Sequence, residues 1–344
     1  MKAIVQTGAE SVDLTERDRP DVEDDEVLVA VHATGVCGSD AHAYLYRGGY
    51  EWVQLPRVMG HEYAGTVEVV GSGVAEFTPG DRVVEDPTRR CGRCFQCRNG
   101  QENVCQNFSV KGMHRDGSYA EYTVAEPDNL HVVPDDVSLR DAAITEPLSV
   151  AARAVYTQSR LTPGETVLVE GPGPIGVLVA AVADAQGASV LVSGLGTDAD
   201  YRLPLVERLG IETVDLSKRD LDATAAEFTD GIGFDLVFDT TGHRSGVETA
   251  TEQVRKGGQI VVVGLPGEAS TLQMADLVRN EVEIATSYGS VWRDFEQALS
   301  LLDAGTVDPA QIVDTSFSTD DPEAAFAAFL DSETTKPVFT FRED

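Results

Sequence analysis

Four of the five cysteines form one short run, Cys91, Cys94, Cys97 and Cys105, spaced C-x2-C-x2-C-x7-C. Thiolates at that spacing can converge tetrahedrally on one Zn²⁺. Four of them fill its shell, so such a site is closed and structural. An iron–sulfur cluster is the rival occupant, since cysteine-rich runs hold those too. The fifth, Cys37, stands in GVCGSDAH (35–42), and GHE follows at 60–62. Cys37, His61 and Glu62 offer a thiolate, an imidazole and a carboxylate, the donor types of a catalytic zinc. A lone cysteine is more often a small buried hydrophobe, and a lone His-Glu pair says little. The set gains weight beside the four-cysteine run and a third motif, GPGPIG (171–176), which fits G-x-G-x-x-G. There Gly171 permits a tight turn, Gly173 lets backbone approach a pyrophosphate, and Gly176 allows close helix–strand packing. Pro174 and Ile175 open a helix whose N-terminus faces the phosphates.

These residues need elements to hold them. EVLVAVHAT (26–34) and AGTVEVV (64–70) alternate like half-buried strands. Short strands with Gly/Pro punctuation continue to about residue 135, an irregular β-rich region. From about residue 150 the pattern changes. Strand TVLVE (166–170) leads through the glycine turn into a helix over 174–187. Strand SVLVS (189–193), a helix ending near Leu209, strand FDLVFD (234–239), a helix around 245–255 and strand QIVVVG (259–264) follow. Alternation of this kind predicts a doubly wound parallel sheet. A helix over 292–304 and the strand PVFTF close the chain. The expected fold class is therefore α/β.

A chain of 344 residues with 42% hydrophobic residues can build two cored domains. Its formal charge is −32, with 21 Arg and only 5 Lys among the cations. Such a surface repels phosphate backbones and anionic lipid, so neither nucleic acid nor membrane is an expected partner. The same charge opposes a nucleic-acid-binding zinc ribbon at the cysteine run. It also suggests adaptation to high salt, where screening relieves self-repulsion. The start lacks an apolar signal segment, and the apolar stretch Ile175–Ala183 is too short to span a bilayer. A cytoplasmic protein is expected.

Taken in order, GVCGSDAH, GHE with AGTVEVVGSGV, GDRV (80–83), the cysteine run, DGSYAEY (116–122), TEPLSVA (145–151) and GPGPIG resemble the zinc-containing medium-chain dehydrogenases, over nearly the whole chain. The resemblance implies a GroES-like β-rich catalytic domain from residues 1–149 and 290–344. A Rossmann coenzyme domain, 150–289, would be inserted in it, with the active site in the cleft. By the same resemblance Cys37 and His61 bind the catalytic zinc, and Glu62 ligates it directly or alternates with water. Glu146 of TEPLSVA matches the glutamate of polyol and threonine dehydrogenases. Cys91, Cys94, Cys97 and Cys105 hold a structural zinc. Ser39 matches the hydroxyl that contacts the substrate oxygen, His42 the outer member of a proton relay, and Asp40 a carboxylate that orients a zinc ligand.

The implied activity is hydride transfer between a secondary alcohol, polyol or sugar and NAD(P), by a homo-oligomer, dimer or tetramer. Threonine dehydrogenases of the family carry a histidine ahead of the structural cysteines, where this chain has Thr88. That favours polyols and aldoses, with an L-threonine 3-dehydrogenase-like enzyme as the alternative. A zinc-stabilised nucleotide-binding protein without turnover is a second alternative. Tyr44, Trp52, His114 and Arg115 are candidates for the substrate pocket, with packing or loop roles an equal reading. Strand SVLVS ends at Gly194, where an acid would bind a ribose diol. Without it the reading is NADP over NAD, with Thr197 and Arg202 as the nearest partners for a 2′-phosphate.

Overall fold

The computed structural model of the chain describes residues 1–313 and 315–342. The chain divides into two units, Met1–Ser149 with Ser290 onward, and Val150–Gly289.

In the first unit the strand Val27–Gly35 (VLVAVHATG) is central. Val27, Val29 and Val31 point to one face and pack with Tyr63, Val67 and Val83, the period-2 burial that branched residues favour. This strand pairs antiparallel with Glu62–Val70 on one side. On the other it pairs with Tyr122–Ala125 and, at its end, with Pro337–Thr340. Strands Arg82–Glu85, Leu130–Val132 and Thr315–Phe317 complete a seven-stranded sheet. Register matters most here. Gly35 sits opposite both Glu62 and Val338. Cys37, His61, Glu62 and Lys336 are therefore gathered at one end of the sheet, although the last is hundreds of residues from the first. A short ladder between Thr88–Arg89 and Ser109–Val110 closes the loop that carries the four cysteines.

The second unit is a six-stranded parallel sheet. Its order is Glu212–Asp215, Ser189–Gly194, Thr166–Glu170, Phe234–Asp239, Val254–Val262, Glu283–Thr286. All six strands are parallel, but chain order builds outward from Thr166–Glu170 to one edge of the sheet and from Phe234–Asp239 to the other. The order therefore reverses between Thr166–Glu170 and Phe234–Asp239, the switch point of a Rossmann sheet. Both faces of the inner strands are buried, with Leu168, Leu191, Val237 and Ile260 in one cluster, which explains their near-continuous apolar sequences. The strand expected at 259–264 spans Val254–Val262 instead. Two strands went unanticipated, Glu212–Asp215 and Glu283–Thr286. Both lie at sheet edges, where partial exposure removes the apolar signal. Among the described residues no helix is long and apolar enough to cross a membrane.

Glu170 and Asp239 end neighbouring strands in direct register and are 4% and 0% exposed. Burial, then the Asp239 carboxyl beside it, pushes Glu170 up to about 9. Burial raises Asp239 as well. An unfolded chain releases the Glu170 proton near pH 4.3, about the ordinary value. Between that pH and about 9 the folded chain holds a proton that the unfolded chain has lost. The stability tied to that proton is thus complete below about pH 4 and drains away as pH rises toward the folded value. Glu170→Gln removes the dependence. The difference in Tm between variant and parent should be small at pH 4.5 and grow to at least about 5 °C at pH 9. A difference that stays constant over this range, measured by calorimetry, would show that Glu170 is not the titrating group.

Candidate functional site

The short helix Gly38–Tyr44 leaves the central strand directly after Cys37, its N-cap. Cys37 Sγ, a His61 ring nitrogen and a Glu62 oxygen lie within 4.8 Å of one another. The site residues are held from behind. Asp40 Oδ2 accepts from the Cys37 backbone N–H at 3.1 Å and from the Tyr119 hydroxyl at 2.8 Å. Its other oxygen is 3.5 Å from His61 Nδ1. The opposite ring atom, His61 Nε2, is 3.5 Å from Ser39 Oγ. Burial disfavours a charged imidazole, but Asp40 and then Cys37 outweigh it and hold His61 well above its usual pKa. Gly60 precedes His61 at φ +87°, and a Cβ there would lie 2.2 Å from the Tyr119 ring. Only glycine suits both demands.

Glu62 is fully buried with Lys336, whose Nζ sits 2.6 Å and 2.9 Å from the two carboxylate oxygens. Glu146, on the helix Thr145–Ala152, stands outside the 4.8 Å set but within electrostatic reach. Desolvation first, then Glu62, pushes it up to about 7 against the pull of His61 and Lys336. His42 is exposed, on the same helix as Ser39, with its ring stacked on Tyr50 at 5.8 Å. The other pocket candidates have packing partners. Tyr44 stacks on Phe326 at 4.5 Å, and Trp52 lies 4.5 Å from His114. Arg115 faces Glu85 and donates to the Ser109 and Pro87 carbonyls.

The sulfur atoms of Cys91, Cys94, Cys97 and Cys105 also lie within 4.8 Å of one another. Cys94 is 3.4 Å from Cys97 and 3.8 Å from Cys105, and Cys105 is 3.5 Å from Cys91. Those separations exceed a disulfide bond of about 2.05 Å, so all four are free thiols. The backbone N–H groups of Arg93 and Cys94 bring Cys91 down to about 6, while burial, then Cys94 and Cys105, push Cys97 up to about 12. Four sulfurs this close cannot all ionise unless a cation neutralises them. The donor chemistry fits zinc at this site, and fits a less saturated zinc at Cys37, His61 and Glu62.

In the second unit Gly171 has φ +92°, and a Cβ on Gly176 would fall 1.9 Å from the Gly171 carbonyl oxygen. Around Gly173, the N-cap of helix Pro174–Ala185, nothing lies within 4 Å of such a Cβ. The turn thus meets the conditions for a phosphate cradle. Thr240, absent from the sequence reading, pins it: its hydroxyl donates to the carbonyls of Glu170 and Gly171 at 2.7 and 3.0 Å. Gly194 has a packing reason of its own, since a Cβ there would meet Leu203 at 2.8 Å and Pro172 at 3.1 Å. Thr197 is exposed. Arg202 faces Asp198 at 3.5 Å, and Asp198 also accepts from the Leu195 N–H.

Residues 23–135 match the alcohol dehydrogenase GroES-like domain, and 174–304 match the zinc-binding dehydrogenase domain. The chain is 34% identical to a sorbitol dehydrogenase of Halalkalibacterium halodurans over 99% of each chain. It is 33% identical to an L-threonine 3-dehydrogenase of Anaeromyxobacter sp. over 98% of each. The 2R,3R-butanediol dehydrogenase of Bacillus subtilis superposes with a TM-score of 0.88 at 28% identity, covering 98% of this chain and 99% of that one.

Proposed function

The chain belongs to the zinc-containing, NAD(P)-dependent medium-chain dehydrogenases, oxidoreductases acting on CH–OH groups of alcohols and polyols, and from that premise we propose that it oxidises a secondary hydroxyl of a polyol or sugar. The observation that carries this is the donor set at the sheet end: Cys37, His61 and Glu62 together, with the Glu146 carboxylate nearby and no second cysteine to spare.

Bound zinc supplies Lewis acidity toward a substrate hydroxyl, and bound nicotinamide accepts the hydride. Cys37 and His61 would hold the metal, Glu146 would supply it a carboxylate, and Glu62 would stand beside it, able to alternate with water. Asp40 fixes the His61 ring. Ser39 takes the hydroxyl proton and passes it toward His42 and solvent, the two lying on one helix face at i, i+3 spacing. Ser39→Ala should lower turnover by roughly 10²-fold and leave the zinc content unchanged. A variant as fast as its parent at every pH would remove Ser39 from the relay.

For the coenzyme we favour NADP, because no acid ends the strand Ser189–Gly194 to repel a 2′-phosphate. Arg202 is a weaker partner than its position suggests, being already opposite Asp198. A homo-oligomer is supported by the outer strand Glu283–Thr286, whose Ile284 is exposed, and by Met274 and Val278, exposed on the helix before it. The −32 charge supports a working environment of high salt, and we place the protein in the cytoplasm. The test is coenzyme reduction with polyols, aldoses, L-threonine and simple alcohols, each with NAD and NADP, in dilute and concentrated salt. Polyol or aldose oxidation with NADP is expected. Turnover of threonine alone would establish the threonine reading, and a higher kcat/KM with NAD would overturn the coenzyme assignment.

A further inference from the structure

Glu62 has two claimants. Its carboxylate lies with Cys37 and His61 in the candidate metal cluster. Both of its oxygens are gripped by Lys336, which donates to each of them and to the Val36 carbonyl at 3.1 Å. Lys336 is 1% exposed and Glu62 is 0% exposed, so neither charge is relieved by water, and each is tied to the other. The chain makes room for this pose. At Gly35 a Cβ would sit 2.5 Å from Glu62 Oε2 and 3.4 Å from Lys336 Cδ. Lys336 reaches the site because strand Pro337–Thr340 pairs beside Gly35.

We propose that Lys336 is a positioning residue which holds Glu62 back from the metal, so that one coordination position stays open for the substrate hydroxyl. This rests on the reading of Cys37 and His61 as zinc ligands. An ammonium ion bound to both oxygens draws their electron density away from a second cation and repels that cation as well. Without it, the buried carboxylate has one partner left, the metal.

The test uses the full chain loaded with Co²⁺, which reports coordination through its visible spectrum. Subtracting the spectrum of Cys37→Ser isolates the Cys37 site from the four-cysteine site. Lys336→Met should shift that difference spectrum toward higher coordination and slow metal loss to a chelator by roughly tenfold, the scale of outer-partner effects on metal affinity. Its kcat should fall and its KM rise, because substrate must displace Glu62. Lys336→Arg should keep the parental spectrum. In a Glu62→Gln background, Lys336→Met should change neither spectrum nor metal loss, and this pair carries no unpaired buried charge if the single variant folds badly. A parental spectrum and unchanged metal loss in Lys336→Met would overturn the proposal. So would a spectral effect that persists in the Glu62→Gln background. If the parent shows no Cys37-dependent cobalt bands at all, the ligand reading itself has failed, a result separate from either.

Discussion

Cys37→Ser is expected to fold, to lose about one zinc per chain of about two, and to lose turnover by roughly 10³-fold or more. The activity figure follows from removing several kcal/mol of charge stabilisation at about 1.4 kcal/mol per decade. The fold should survive because serine suits this position. Residue 37 is the N-cap of helix Gly38–Tyr44, and serine is among the preferred N-cap residues. The backbone N–H that Asp40 accepts is untouched by the change. Serine keeps the shape but offers a hydroxyl where zinc favours a thiolate. Metal analysis, circular dichroism and initial rates on one preparation would check all three statements. A fully active Cys37→Ser would overturn the catalytic assignment, and an unfolded one would show that the metal here also holds the fold.

What the sequence makes legible follows from locality. The four cysteines lie on one loop, so their spacing announces their convergence. GPGPIG sits between a strand and a helix that are both local, and its geometry follows. Cys37, His61 and Glu62 are legible as residue types, but their meeting depends on the pairing of Gly35 with Glu62, which no local periodicity encodes. Lys336 lies 274 residues from Glu62 in a stretch that reads only as a closing strand, and its charge is visible as functional only once that strand is paired. Tyr119 and Thr240 were missed for the same reason. Glu170 reads as the polar end of a buried strand, and its protonation depends on Asp239 in the neighbouring strand. Gly194 carries two readings at once. The missing acid there bears on the coenzyme, and a Cβ at the same position would also crowd Leu203 and Pro172, a packing reason for glycine that spacing alone does not reveal.

Cys94→Ser should act on the fold before it acts on chemistry. The segment from Cys91 to Cys105 has little else to hold it. It contains a four-residue helix, Phe95–Arg98, and a 3₁₀ turn, Glu102–Val104, and is closed by the two-residue ladder at its base. Its larger apolar residues do not form a core, since Phe95 is 68% and Val104 is 45% exposed. The loop's order must come from the four sulfurs and the cation that neutralises them, and a closed zinc site supplies folding free energy directly. Cys94 is also the N-cap of that short helix, its sulfur accepting from the Cys97 N–H. Serine can replace the cap but cannot replace the thiolate. The expected result is loss of about one zinc per chain and a Tm lower by roughly 10 °C or more. New protease cleavage should appear between residues 91 and 105. Activity at low temperature should fall less than in Cys37→Ser, because the Cys37 site keeps its donors. A chelator added to the parent should reproduce the cleavage, and restored zinc should suppress it. If the loop of Cys94→Ser resists protease as well as the parent does, then backbone contacts rather than metal hold it, and the structural role assigned to the four cysteines fails.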